Sequence, residues 1–265
     1  MDLELSDDQR LLKDSVNGLL ARRYPDVVKT RVEMAKEPSG YSAAGWKEWA
    51  DQGLLAIPFA EDDGGLGQGP VELMLVGEAI GRTLALEPFF ATVVLGGGVL
   101  RHAATASQRT TLVPEIASGA LTLALAHQEK QSRFDFFDVA TTAKADGDGY
   151  VLEGEKLVVL NGDSAGKLIV VARTAGDRRA KDGLGLFLDD AKGPGVSVRG
   201  YPTQDGRRAA DISFSSVKVG KDAVLGDPGK GLAALERTAD EAISFLAAEA
   251  VGAMEVLHEA TVDYL

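Results

Sequence analysis

The chain of 265 residues contains no cysteine and only three histidines. Without a thiol it can form no disulfide, no thiolate metal site and no catalytic cysteine. No uninterrupted apolar run is long enough to cross a bilayer. The acidic start "MDLELSDDQR" has no apolar segment typical of a signal peptide. These absences predict a soluble, cytoplasmic protein that neither enters a membrane nor binds a metal.

Basic residues are also in the minority, with 28 lysines and arginines against 40 aspartates and glutamates, a net charge of −12. Such a surface repels nucleic acid and anionic membranes, so the sequence predicts neither as a partner. Apolar residues are plentiful at 45%. The chain can therefore bury a large core, in one large domain or in two to three small ones.

The first third of the sequence shows helical patterns. Ser6 and Gln9 form a capping-box pattern, which marks the start of a helix. Apolar residues then recur at helical spacing: Leu12, Val16, Leu19 and Leu20. Further helical stretches are "SAAGWKEWADQGLLAI", residues 71–86, "TVVLGGGVLRHAA" and "ASQRTTLVPEIASG". We predict an N-terminal α-helical domain over residues 1–116.

The middle of the chain changes to short, β-branched segments separated by Gly, Asp and Pro. "ADGDGY" is a hairpin turn, because Asp and Gly tolerate a positive φ. Six or seven such segments follow one another at intervals of about ten residues, which indicates a small antiparallel barrel or sandwich. We predict a middle β-domain over residues 117–226.

The last segment returns to a helical pattern without proline. It begins at Gly231, and at about 1.5 Å per residue it would span roughly 50 Å. Its apolar residues fall on more than one face, so it needs neighbouring helices. We predict that residues 227–265 are the first helix of an incomplete C-terminal bundle. The fold class is thus α+β and multidomain, completed by further residues or by another chain in an oligomer.

A cluster of glycines in "AEDDGGLGQGP" raises the question of a dinucleotide-binding loop. Such a loop reads GxGxxG, follows a strand and opens a βαβ unit. Here the order is GGxGxG, the preceding run contains Pro58, and no βαβ pattern follows. The cluster is better explained as a bend between two helices.

Three longer stretches resemble the acyl-CoA dehydrogenase family. They are "GLLAIPFAEDDGGLGQGPVELMLVGEAIGR", "LVPEIASGALTLALA" and "ADGDGYVLEGEKLVVLNGDSAGKLIVVART", and "ATVDYL" resembles the first helix of the family's C-terminal bundle. Within the family the chain is similar to the degenerate small subunits of heteromeric, pimeloyl-CoA dehydrogenase-like enzymes. The resemblance implies FAD as cofactor, an acyl-CoA substrate, an electron-transfer acceptor protein and a homo- or hetero-oligomer.

The resemblance also implies which residues would meet the flavin. In the family a "TEPGAGSD" segment follows the first strand of the middle domain, and here that segment reads "QEKQSRFD". Gln128 stands at the position of the flavin-binding Thr, beside His127, and Phe134 replaces the Ser that lies by the acyl-CoA. Val158 and Leu160 stand where "WITNG" presents an aromatic ring and a Thr. His127 either contacts the cofactor or is a structural or solvent-facing histidine. We expect His102 and His258 to lie on the surface.

The resemblance also bears on the catalytic base. The family removes an α-proton of the thioester with a carboxylate, while a hydride leaves the β-carbon for the flavin. Many members carry that carboxylate in the C-terminal bundle, beyond Leu265, and some carry it at the position of Ala242, which cannot act as a base. Glu241 is adjacent, but one residue turns a helical side chain by about 100°. Asp240 matches an acidic position near the nucleotide end of CoA. Alternatively, Asp240 and Glu241 lie on a solvent-exposed face of the helix and have no catalytic or binding role.

Three functions therefore stay open on the sequence. The first is an FAD-dependent dehydrogenase subunit that converts an acyl-CoA to the 2-enoyl-CoA. The second is a non-catalytic scaffold subunit of a heteromeric enzyme, and the third is a flavin-free acyl-CoA-binding protein.

Overall fold

The computed structural model describes residues 4–265. Six α-helices precede the sheet, and they are α1 (Asp7–Arg23), α2 (Val27–Met34), α3 (Ala43–Asp51), α4 (Pro70–Thr83), α5 (Gly97–Ala103) and α6 (Ala106–Ala117). A π-helical segment, Phe90–Gly96, runs directly into α5. The capping box predicted at Ser6 is present: the Gln9 amide donates to Ser6 Oγ at 3.2 Å, and Gln9 Oε1 accepts from the Ser6 amide at 3.0 Å.

Eight strands follow and form one sheet. They are β1 (Leu123–Ala126), β2 (Thr142–Asp146), β3 (Gly149–Leu160), β4 (Lys167–Arg173), β5 (Leu184–Asp190), β6 (Val196–Pro202), β7 (Arg208–Val219) and β8 (Val224–Leu225). The order is β6-β7-β3-β2-β4-β5-β8, with β1 beside β4. The pairings are antiparallel except β1 with β4 and the short pairing of β2 with β4. The predicted helical and β-rich regions are confirmed, with a mixed sheet in place of a purely antiparallel one.

The central strands are buried on both faces. In β1, Leu123 and Leu125 belong to the core shared with the helices, whereas Ala124 and Ala126 belong to a second core within the sheet. This explains why β1 has a continuous apolar sequence instead of an alternating one. The boundary predicted at residue 116 falls one residue before the end of α6, and the one at 226 falls between β8 and the last helix. The domain limits themselves stay a prediction.

The glycine cluster lies in a bend between helical segments. A short 3-10 turn (Glu61–Asp63) precedes it, and α4 begins at Pro70 directly after it. Gly64 and Gly67 have φ values of 92° and 62°, a region that favours glycine. The bend thus has the interhelical geometry expected from the sequence.

The last helix, α7 (Gly231–Tyr264), packs mainly against α4. The two backbones approach closely where glycines face the partner helix: a Cβ on Gly81 would lie 1.9 Å from the Glu249 carbonyl oxygen, and one on Gly252 would lie 2.0 Å from that of Glu78. Side chains cannot fit at this crossing, so its glycines set the position of α7 against the N-terminal helices.

Substitution at this crossing should be costly. We expect Gly81→Ala to lower the free energy of unfolding by about 1–3 kcal/mol, because the backbones must separate. Gly18→Ala in α1 is the matched control. Its Cβ would meet only one arginine nitrogen, at 3.7 Å, so the better helix propensity of Ala should stabilise the protein by about 0.5–1 kcal/mol. Urea titration of both variants checks the prediction, and equal effects would contradict it.

Candidate functional site

The loop after β1 is anchored by a buried carboxylate. Glu129 accepts hydrogen bonds from the amides of Ala140 and Thr141 at 2.8 and 3.0 Å, and from Lys156 Nζ at 2.7 Å. The exposed fractions of the Lys156 and Glu129 side chains are 0% and 4%. Burial favours a higher pKa for Glu129, but Lys156 and the hydrogen bonds hold it at about 2. Burial lowers the pKa of Lys156 to about 8, although Glu129 favours its charged form. At neutral pH this is an ion pair that joins the loop to β3.

His127 and Gln128 lie next to this ion pair. The His127 carbonyl accepts from Lys156 Nζ at 3.3 Å, and the Gln128 carbonyl accepts from the Leu157 amide at 2.9 Å. The imidazole packs on Phe136 with a centroid separation of 5.5 Å, and its Nδ1 is buried without a partner among residues 4–265. Burial, with a contribution from Lys156, lowers the pKa of His127 to about 4, so the ring is neutral. The Gln128 side chain makes no hydrogen bond within the same range.

Phe134 projects from the far side of the loop. Its side chain is 96% exposed, and Arg133 before it has a φ of 49°. Within the described chain nothing covers Phe134. Its predicted role at the acyl-CoA therefore stays a prediction.

The end of β3 carries Val158 and Leu160. The pairing of β3 with β7 shifts register between Lys156 and Val159, and Val158 within that bulge has a φ of 52°. The Val158 amide donates to Asp211 Oδ1 at 3.2 Å, while its side chain is 42% exposed. Leu160 lines a cavity of about 40 Å³ between the N-terminal helices, the sheet and α7. The contacts of Lys156 and Leu157 with the carbonyls of His127 and Gln128 make the two segments neighbours. The flavin contacts expected of His127, Gln128, Val158 and Leu160 stay a prediction.

The candidate base on α7 is engaged in ion pairs. Glu241 Oε2 lies 2.5 Å from Arg101 Nη2, and its Oε1 lies 2.7 Å from His102 Nε2. Burial favours a higher pKa for Glu241, but Arg101 and His102 outweigh it and lower the pKa. The expectation of a surface position is wrong for His102, whose side chain is only 11% exposed because it packs against α7. His258 is exposed as expected.

The neighbours of Glu241 differ in their surroundings. Ala242 is 5% exposed and belongs to the main core. Asp240 is exposed on the rim of a groove of about 620 Å³, which Glu241 and Arg237 also line, between α7 and the start of α4. The structure thus brings Asp240 and Glu241 to one groove, while the side chain at position 242 faces the protein interior.

Comparison with known proteins identifies the family of the chain. The model of the acyl-CoA dehydrogenase N-terminal domain matches residues 6–120, and that of the middle domain matches residues 124–218. The chain belongs to the acyl-CoA dehydrogenase family. Acyl-CoA dehydrogenases are flavoprotein oxidoreductases of fatty acid metabolism that bind FAD.

Similar proteins cover the whole chain. A probable acyl-CoA dehydrogenase of Bacillus subtilis, YngJ, is 26% identical over 269 residues, which are 100% of this chain and 70% of that protein. The Tcur3481-Tcur3483 steroid ACAD G363A variant is 28% identical with a TM-score of 0.80, over 97% of this chain and 67% of that one. The FAD complex of PigA has the same fold, at 23% identity and a TM-score of 0.90, over 100% of this chain and 70% of that one.

The relatives are longer than this chain, which spans 52–70% of the length of curated relatives such as the long-chain enzyme of Sus scrofa and YngJ. Within residues 4–265, no helix has the length and hydrophobicity needed to cross a bilayer.

The side chains at the candidate flavin site do not fit FAD fully. A flavin ring needs hydrogen-bonding groups along its polar edge. Val158 and Leu160 are aliphatic and supply none, and residues 130–134 contain no glycine that would permit a close backbone approach. Gln128 and the unpartnered Nδ1 of His127 are the side-chain groups that remain in this part of the described chain. The chain therefore offers an incomplete set of contacts for the flavin ring.

Proposed function

We propose that this chain is a subunit of an FAD-dependent acyl-CoA dehydrogenase that lacks its own catalytic base. The assembly would convert an acyl-CoA to the 2-enoyl-CoA. One observation carries the proposal: Glu241 is bound to Arg101 and His102, next to Ala242, which the family resemblance puts at the base position on α7. The base and the missing flavin contacts would come from outside residues 4–265.

The reaction makes a free carboxylate essential. The α-proton of a thioester is weakly acidic, so its removal needs a base within hydrogen-bond reach and stabilisation of the carbonyl oxygen. A carboxylate held between Arg101 and His102 is a weaker base, because its lowered pKa favours the unprotonated form. Release of Glu241 would also leave the Arg101 guanidinium, only 15% exposed, without its partner. Glu241 is thus better suited to joining α5 to α7.

The exposed side of α7 supports association with further helices. Apolar side chains remain exposed along it: Ile243 at 64%, Met254 at 58%, Leu257 at 68% and Val262 at 56%. Exposed apolar side chains along one helix support an interaction site there. The similar Tcur3481-Tcur3483 steroid ACAD is named for two proteins. We infer that this chain forms a homo- or hetero-oligomer with a second acyl-CoA dehydrogenase chain. The assembly would pass electrons to an acceptor protein.

A flavin-free acyl-CoA-binding protein is the second candidate. The observation that favours it is the pair of aliphatic residues, Val158 and Leu160, at the positions that the resemblance assigns to the flavin edge. Flavin content separates the two candidates, because a subunit that shares a flavin site gains FAD when its partner is added, whereas a flavin-free protein does not.

The flavin contacts give a direct test. The chain alone should bind FAD weakly, and Gln128→Thr combined with Leu160→Thr should tighten binding about fivefold, since Thr at position 160 adds one hydrogen bond worth ~1 kcal/mol that Leu cannot make. Leu160→Ile is the matched control and should leave the affinity unchanged. Equilibrium dialysis with flavin absorbance measures the affinity. Stoichiometric, tight FAD in the unmodified isolated chain would overturn the proposed dependence on a partner.

A further inference from the structure

Arg173, the last residue of β4, has a guanidinium that joins two loops. The residue is 7% exposed, and all five of its side-chain N–H groups donate to backbone carbonyls at 2.8–3.3 Å. The acceptors are Phe137 and Val139 in the loop after β1 (residues 127–141), and Ala175, Arg178 and Asp182 in the β4–β5 loop (residues 174–183). Because a guanidinium is planar and rigid, these bonds fix the two loops relative to each other.

Side-chain contacts cross the same junction. Asp138, in the loop after β1, is 1% exposed and pairs with Arg178 Nε at 2.9 Å and with Arg179 Nη1 at 2.8 Å. Arg179 Nη2 also lies 2.8 Å from Asp135 Oδ2, and its guanidinium carbon lies 5.3 Å from the centroid of the Phe137 ring. The two arginines thus compensate a carboxylate that would otherwise be buried without a cation.

The β4–β5 loop is itself attached to the segment before α7. The Gly183 amide donates to the Gly229 carbonyl at 2.8 Å, and Thr174 Oγ1 donates to the Pro228 carbonyl at 2.9 Å. Gly183 has a φ of 84°, and a Cβ there would lie 2.1 Å from the Ala175 carbonyl oxygen, so the two ends of the loop meet closely. The β4–β5 loop is therefore a fixed support for the loop after β1.

The tip of the loop after β1 depends on this support. Glu129 closes the base of the loop by accepting from two amides beyond the tip. Within the described chain, the hydrogen bonds and ion pairs that residues 130–138 make outside their own loop go to Arg173 and to the two arginines of the β4–β5 loop. The tip carries Phe134, whose side chain is 96% exposed. The position of Phe134 is thus set from outside its own loop.

We propose that Arg173 is a positioning residue for acyl-CoA binding, because it holds the tip that presents Phe134 to the ligand. Arg173 does not contact the ligand itself. It lowers the ordering cost of binding, since a loop that is already fixed loses little conformational freedom when the ligand arrives. The inference rests on the proposed function and on the predicted contact of Phe134 with the acyl-CoA.

Arg173→Lys tests this role. Lysine keeps the charge but has one nitrogen with three donors, so it cannot replace all five bonds. We expect acyl-CoA to bind about tenfold more weakly, measured by calorimetric titration of the full chain with butanoyl-, octanoyl- and dodecanoyl-CoA. Val16→Ala, on the buried face of α1, is the matched control, because it lowers stability at a site in neither loop and should leave the affinity unchanged. All titrations are done well below the unfolding temperature of the least stable variant.

Phe134→Ala separates positioning from a general loss of structure. In the wild-type chain it should weaken binding about fivefold, and in the Arg173→Lys chain by less than about twofold, because the tip is no longer held at the ligand. Arg179→Gln, which loses its charged contacts with Asp135 and Asp138, should weaken binding about threefold and gives the test if Arg173→Lys does not fold.

Two results would overturn this inference alone: equal affinities of the wild type, Arg173→Lys and Arg179→Gln, or an undiminished effect of Phe134→Ala in the Arg173→Lys chain. A wild-type chain that binds none of these acyl-CoAs would overturn the proposed function, and this inference with it.

Discussion

The purified 265-residue chain is expected to turn over acyl-CoA at least about 100-fold more slowly than the same chain combined with a second, full-length acyl-CoA dehydrogenase chain. A positioned general base contributes about 10²–10⁴-fold to such a reaction, and the family resemblance puts Ala242 at the base position of this chain. Turnover is measured with an artificial electron acceptor at saturating FAD, over a range of acyl-CoA lengths. Robust activity of the chain alone would show that it carries a base.

Glu241→Gln distinguishes a structural glutamate from a catalytic one. A catalytic Glu241 would cost about 10²–10⁴-fold in kcat on this substitution. We expect kcat of the combined chains to change less than about threefold, with a loss of stability of about 1–3 kcal/mol because Arg101 and His102 lose a charged partner. Glu236→Gln, at an exposed position of the same helix, is the matched control and should alter neither quantity by much. A large drop in kcat at unchanged stability would make Glu241 the base.

Patterns within short segments were predictable from the sequence. The Ser6–Gln9 capping box needs only residues three apart, and the hairpin at "ADGDGY" needs only a turn that accepts a positive φ. Both therefore appear in the fold where the sequence places them. The family resemblance placed Gln128 and Val158 at one flavin site. In the structure the two segments are close, because the Leu157 amide donates to the Gln128 carbonyl in the loop after β1.

Contacts between distant segments were not predictable. His102 and Glu241 are 139 residues apart, and only the packing of α5 on α7 turns an apparent surface histidine into a partner for that carboxylate. Glu87 and Asn161 line a common cavity although no periodicity links them. The sequence likewise did not indicate that Lys156 is buried, because a lysine in a strand is usually solvated. The structure gives its burial and its partner.

Lys156→Met is expected to have the largest effect on stability, with a loss of about 3–5 kcal/mol. The substitution keeps the length of the side chain but leaves Glu129 buried without its cation, and an uncompensated buried charge is strongly destabilising. Lys218→Met on β7 is the matched control. Lys218 is 78% exposed and pairs with Asp146 at 3.2 Å, so its loss should cost no more than about 1 kcal/mol. Thermal and urea unfolding give both values, and similar losses for the two variants would refute a special role of the buried pair.

The pH dependence of the same variants identifies the ion pair as the cause. The pKa of Glu129 is about 2 in the folded protein against an ordinary value of 4.5, so its contribution to stability is fully present above 4.5 and is lost as the pH falls towards 2. Without Lys156 the folded-state pKa of Glu129 should rise, because burial then dominates. The stability difference between wild type and Lys156→Met should therefore shrink as the pH falls through this window. Adding Glu129→Gln to Lys156→Met should recover part of the loss at neutral pH, since the buried charge is removed. A difference that stays constant between pH 7 and the acid limit of folding would instead attribute the loss to packing around Lys156.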